Sequence, residues 1–185
     1  MKSIHPTTRI LFVARIALTF VFAKVAAFAA DSPGDLQRIQ ALGLASFQKP
    51  IVTYYSDGAK DRAEKIAADV AAMNDFYEKH LGIRAAVTLM VVNSNDWQRA
   101  QLSGPYGRPY SDTDAKPQFL VMPSQGGYVF EDIVANKKAL PAEQLAAFQK
   151  QHKMTFEAIA EKQVEAIGFH ELGHVLIKEY GIDER

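Results

Sequence analysis

Two hydrophobic periods alternate along this chain, and together they predict a sheet with helices packed on it. Ile51 to Tyr55 is β-branched and aromatic and runs into Ser56-Asp57-Gly58, which reads as a first strand leaving through a turn. Ala63, Ile66, Ala67, Val70, Met73, Tyr77 and Leu81 then recur at three and four. That spacing predicts a helix over one face of the sheet, with Gly82 as its C-cap. Ala85 to Val92 is apolar almost without a break, the composition of a strand buried on both faces, and it is expected at the centre. Phe119 to Met122 is a second short apolar strand, and Gly126 to Phe130 is expected to be a third after a Pro-Ser-Gln-Gly turn.

Helices fill the intervals. Leu36, Ile39, Leu42 and Leu44 suit a short helix with Gly43 near its end, and Ser94 or Asn95 caps another through Trp97 and Leu102. From Ser103 to Pro117 the composition is that of a long loop, in which Tyr106, Arg108 and Tyr110 either line a substrate cleft or sit in a solvated crossover. Pro141 is expected at the first position of a helix over Ala142 to Gln151, and the Thr155 hydroxyl caps the last helix. In that helix Phe156, Ile159, Ala160, Gln163, Ala166, Ile167, His170 and His174 share one face. Lys178 in the last turn, Gly181 as an αL cap and Ile182 as its apolar contact end it near Tyr180. Gly168 inside the helix costs about 1 kcal/mol against Ala, which close packing on another backbone would offset. The fold class is therefore α+β.

Composition narrows the chemistry. With 185 residues, 48% of them apolar, the chain makes one domain with a sizeable core. It has no cysteine, so any metal must be held by His and carboxylate. Residues 1–29 read as a signal peptide: Lys2, Arg9 and Arg15 form a basic leader, Ile16 to Ala23 an apolar run, and Ala27-Phe28-Ala29 a cleavage site. An uncleaved anchor is the alternative, but Arg15 and Lys24 confine the run to well below the roughly 18 apolar residues of a span. Removing Lys2, Arg9, Arg15 and Lys24 from 21 basic residues leaves 17 against 21 acidic ones, a net charge of −4. A mildly acidic secreted or periplasmic domain has no electrostatic case for nucleic acid or, once cleaved, for a membrane.

The chemistry sits at His170-Glu171-Leu172-Gly173-His174. Helix residues four apart lie about 40° from one another, so both imidazoles project to one side as a two-pronged metal clamp. Glu171 falls about 100° from His170, near enough to reach a water on the ion but badly aimed to bind it. Ile167, Gly168 and Phe169 before the motif and Leu172, Gly173, Val175 and Leu176 within and after it are uncharged. Burying ionisable groups among them costs several kcal/mol unless a partner is supplied, and a metal supplies it. The plain alternative is an amphipathic helix with two core histidines hydrogen-bonded to their surroundings.

Over Ile167 to Leu176 the chain resembles the zincin metallopeptidases. The resemblance implies a zincin-like catalytic subdomain, a small mixed sheet packed against helices with the motif helix at its C-terminus, over residues 30–185. It implies Zn2+ on His170 and His174, Glu171 as the base that takes a proton from water, and a peptide or protein substrate. It also implies a sheet-edge strand that pairs with the substrate backbone, and Gly126 to Phe130 is its expected counterpart. The metzincin extension is missing, since Ile177 and Tyr180 stand where Gly and His would be needed. The likeness is gluzincin-like, and that pattern places a third ligand on a later helix.

No third ligand is legible. Glu179 lies about 140° from His174 and about 180° from His170 and so faces away from both. Asp183 falls short of the metal-binding turn and Glu184 barely reaches it, at ~3.5 Å per extended residue. His80, His152 and Asp132 carry no supporting spacing. The sequence therefore predicts a domain incomplete at its C-terminus, with His170 and His174 converging beside Glu171 and an apolar flank of the last helix uncovered. Its rival is an inactive secreted binding or structural domain that keeps a partial metal site. A test of the address is direct: exported protein should begin at Ala30 by intact mass, whereas residues 1–29 retained in a membrane fraction would identify an anchor.

Overall fold

The apolar run at 85–92 needs cover on both sides, and the computed structural model, which describes residues 34–182, is built around that need. β3 (Val87–Val92) is buried along its whole length and lies at the centre of a five-stranded mixed sheet. Its companions are β1 (Ala45–Phe47), β2 (Thr53–Tyr55), β4 (Tyr110–Asp112) and β5 (Gln118–Pro123), in the order β1-β2-β3-β5-β4. β2, β3 and β5 are parallel, while β1 and β4 close the two edges antiparallel. Among the described residues there are six α-helices: α1 (Asp35–Ala41), α2 (Lys60–Leu81), α3 (Ser94–Arg99), α4 (Tyr128–Asn136), α5 (Ala142–His152) and α6 (Phe156–Tyr180). No helix among the described residues is long and apolar enough to cross a membrane.

Strand alternation divides the core into two. Val87, Leu89, Val91, Leu120 and Met122 point to one side, where Ile66, Val70, Leu172 and Val175 of α2 and α6 meet them. Met90, Val92, Phe119 and Val121 point to the other side, against Ile39 of α1 and Trp97 of α3. The two strands thus sit in a three-layer stack, helices on each face.

Charge and polar clamps fix the layers. Arg62 of α2 donates to Glu161 of α6 at 2.8 Å and to the Pro123 carbonyl at the end of β5 at 3.1 Å, and Lys65 pairs with Glu165. Asn74 is 1% exposed and spans from α2 to the approach to β3: its amide donates to the Ala85 carbonyl at 2.8 Å, and its oxygen accepts from the Ala85 N–H at 3.0 Å. At the end of α6 the Tyr180 hydroxyl accepts from the Arg84 N–H and donates to the Arg84 carbonyl, both at 3.0 Å.

Several expectations hold. The helix over 63–81 is α2, closed by Gly82 in the left-handed region at φ 68°. Thr155 accepts from the Ala158 N–H at 3.1 Å, and α6 ends at Tyr180 with Gly181 at φ 61° and the Ile182 N–H returning to Ile177.

Others are corrected. Gly126 to Phe130 is not a strand, because Tyr128 opens α4 and buries Val129 and Ile133 four residues apart on one face. The close backbone approach its glycines permit is made to the chain itself: a Cβ on Gly107 would stand 2.3 Å from the Gly127 Cα, with φ 84° and 89° at the two residues. Tyr106 and Gly107 carbonyls accept the Tyr128 and Val129 N–H groups at 2.8 and 3.3 Å. The stretch 103–117 is likewise not all loop, since β4 lies within it. The α3 cap is Asn93, whose side chain accepts from the Asp96 N–H, in place of Ser94 or Asn95. Pro141 sits one residue outside α5 as its N-cap, at ψ 140°, not at the first helical position. The nearest atoms that a Cβ on Gly168 would meet are side-chain atoms of Met122 and Val70, at 3.6 to 3.8 Å, in place of the expected backbone. Large exposed apolar side chains at the end of α6 are Tyr180 and Ile182; Phe156, Ile159, Ala160, Val164, Ile167, Leu172, Val175 and Leu176 are buried, Phe169 and Ile177 are half-buried, and the small Ala166 is exposed. The stretch 1–29 expected to be a signal peptide and the carboxylates Asp183 and Glu184 lie outside the described residues.

Asn74→Ala should cost about 2–4 kcal/mol, because it strands both polar groups of Ala85 in the core without partners. Denaturant unfolding at fixed pH measures it, and a loss under 1 kcal/mol would show that the clamp is dispensable.

Candidate metal centre

α6 carries the motif across the sheet's β4 edge because one side of it is apolar at helical spacing. Leu172, Val175 and Leu176 are buried, and that anchors the turn holding His170 and His174. The two rings lie edge to face at 4.5 Å between centroids, and their Nε2 atoms converge to 3.0 Å. Two nitrogens sharing a tetrahedral ion at about 2.0–2.1 Å stand about 3.3 Å apart, so the observed separation requires only a small adjustment to hold one. Burial, and secondarily the charge of His174, pushes the His170 imidazole below its ordinary pKa. A neutral ring is the form that ligates a metal. The same geometry also suits a hydrogen bond between the two rings in the absence of an ion.

Glu171 takes the direction that the helical angle dictates. Its side chain turns under the edge strand, is 5% exposed, and accepts a hydrogen bond from the Ser111 hydroxyl of β4 at 2.9 Å. Desolvation raises its pKa above the ordinary carboxylate value, opposed by hydrogen bonds from the Ser111 hydroxyl and backbone N–H and by the charges of His174 and Arg108. The buried carboxylate is therefore held by Ser111 of the strand that forms the sheet edge, and the charges of His174 and Arg108 favour its ionised form.

Ser111 was not singled out from the sequence. Tyr110-Ser111-Asp112 is short and polar and follows a proline, so it reads as loop, and nothing local marks it as an edge strand. Of the three loop residues considered for a cleft, Arg108 acts on Glu171. Tyr106 instead donates to the Gln125 carbonyl at 2.6 Å, and Tyr110 is buried on the opposite side of the sheet.

The remaining candidates stay apart from the pair. His80 stacks on Phe76 at 4.4 Å near the end of α2, His152 on Phe148 at 4.6 Å at the end of α5, and Asp132 is exposed on α4. Among the described residues no group of three His, Cys, Asp or Glu side chains could hold a metal ion. A cavity of ≈ 410 Å³ opens near the start of α6, lined by Asn93, Tyr106, Gln125, Gly126 and Glu161 among others. It is not where the motif is: Glu161 precedes His170 by nine residues, about 14 Å along the helix. Its carboxylate is engaged by the Gly126 N–H at 3.0 Å and by Arg62.

No family model, curated protein or solved structure matches the chain.

Ser111→Ala removes a hydroxyl donor from a buried carboxylate and should destabilise the metal-free protein by about 1–3 kcal/mol. Chemical unfolding of the two proteins side by side reads this; identical midpoints and slopes would mean that Glu171 has other support.

Proposed function

We propose that the chain is a secreted or periplasmic zinc-dependent metallopeptidase of the zincin kind. The single observation that carries this is the pairing of two converging imidazoles with a buried carboxylate held by the sheet-edge strand. Supporting it, the sheet is mixed with an antiparallel strand at each edge, and the motif helix packs across the β4 edge.

His170 and His174 would hold the ion. When bound there, zinc supplies Lewis acidity toward a carbonyl and lowers the pKa of a coordinated water. The Glu171 carboxylate takes a proton from the attacking water and returns it to the leaving amine, and the Ser111 bond keeps that carboxylate aimed. β4 is hydrogen-bonded to β5 on one side, and its other edge is where an extended peptide would pair with the strand. This assigns the substrate-pairing role to β4 in place of Gly126 to Phe130.

A second reading, a secreted binding or structural domain with a partial metal site, is favoured by one observation: the described residues bring only two nitrogen ligands together. The two readings part in one experiment. The full chain should take up to one equivalent of zinc, and His174→Ala should abolish or greatly weaken that binding. Glu171→Gln should keep the zinc and lose about 10²–10⁴ in hydrolysis of peptides. Zinc content unchanged by His174→Ala would refute the metal assignment. Zinc bound by wild type without any hydrolysis to lose would leave the binding domain.

A further inference from the structure

β4 is three residues long and paired with a neighbouring strand on one side, so its position depends on what its side chains hold. They hold in opposite directions, as strand alternation requires. Ser111 donates to Glu171 on the α6 side. On the other side the Tyr110 hydroxyl donates to Asp35 Oδ2 at 2.6 Å, and the carboxylate it reaches is fully buried in the first turn of α1. That carboxylate is also paired with Arg38 and faced by the Ser103 hydroxyl at 3.4 Å. Arg38 in turn donates to the Ala100 carbonyl at 2.6 Å, which ties α1 to the end of α3. Burial pushes the Tyr110 phenol well above its ordinary pKa, so the hydroxyl remains a donor at any working pH.

Packing alone does not call for this arrangement. A phenyl ring in place of Tyr110 would meet Trp97, now edge-on at 6.0 Å, equally well and would need no buried carboxylate beneath it. What the hydroxyl adds is direction: a hydrogen bond fixes the ring's tip to a point, whereas dispersion contact leaves it free to slide.

We infer that Asp35 and Tyr110 form a strut that fixes the placement of β4 and, through Ser111, aims the Glu171 carboxylate from the far side of the sheet. Both are positioning residues: neither touches the histidine pair, and they act through the strand. The catalytic part of this inference rests on the metallopeptidase reading; the structural part stands on the contacts of β4.

The test compares Tyr110→Phe and Asp35→Asn with wild type, each as the full chain. Metal-free protein is followed by amide hydrogen exchange over residues 109–113, and zinc-loaded protein by hydrolysis of fluorescein-labelled casein. Both substitutions should speed exchange in that segment and lower kcat about 10-fold, with KM and zinc content unchanged. Asn74→Ala, which weakens the fold elsewhere, is the control and should leave kcat per folded molecule as in wild type. Unchanged exchange at 109–113 in Tyr110→Phe, or both effects reproduced by Asn74→Ala, would overturn the strut. Faster exchange with unaltered kcat would overturn its part in aiming Glu171. If zinc-loaded wild type cleaves nothing, the metallopeptidase reading fails, and the exchange result alone upholds or refutes the strut.

Discussion

Two parallel strands without a polar face impose the architecture. Every side chain of β3 is buried, as are Phe119 to Met122 of β5, so neither strand can lie at a surface. Their odd and even residues must each find a helical layer, and α2 with α6 on one side and α1 with α3 on the other meet that requirement. The polar clamps follow from it. Once helices are held to both faces, the stretches between them must find partners for buried backbone groups, and Asn74 at Ala85 and Arg62 at Pro123 provide them.

α6 serves the core and the candidate site with one length of helix. Leu172, Val175 and Leu176 bury themselves under the sheet, and His170 and His174 share the same turns. A site built this way inherits the rigidity of the packed face, whereas a loop-borne pair would need its own support. Gly168 fits that account. It lies two residues ahead of the motif against Met122 and Val70, where α6 crosses the sheet.

The legible and illegible parts divide by how local their cause is. The long helices, the central strand and the motif were readable because each is announced by its own residues: apolar spacing for α2 and α6, an almost unbroken apolar run for β3, a fixed interval between two histidines. The edge strands were not. β1 (Ala45–Phe47) and β4 are three residues each, with mixed polarity, and they exist because β2 and β5 present backbone groups to be paired. Ser111 was missed for the same reason, since its role comes from a helix sixty residues later in the chain. Gly126-Gly127 was read correctly as a place of close backbone approach but assigned the wrong partner. The residue it meets, Gly107, is remote in sequence, and no local pattern links the two.

The alternation within β4 bears on how this chain can vary in length. Tyr110 and Ser111 are neighbours on the chain but contact groups on opposite sides of the sheet, Asp35 on one and Glu171 on the other. A slip of β4 by a single residue against β5 would put either Tyr110 or Asp112 where Ser111 now meets the motif helix, and Pro109 or Ser111 where Tyr110 now meets the α1 carboxylate, so both contacts would be lost at one stroke. Insertions and deletions between Gly107 and Gln118 are therefore constrained by parity as well as by size. The Gly107–Gly127 contact holds one end of the segment in place and the β5 register holds the other. Any change in length that survives has to be absorbed in the turn at Thr113 to Pro117, on the side of β4 away from the glycines.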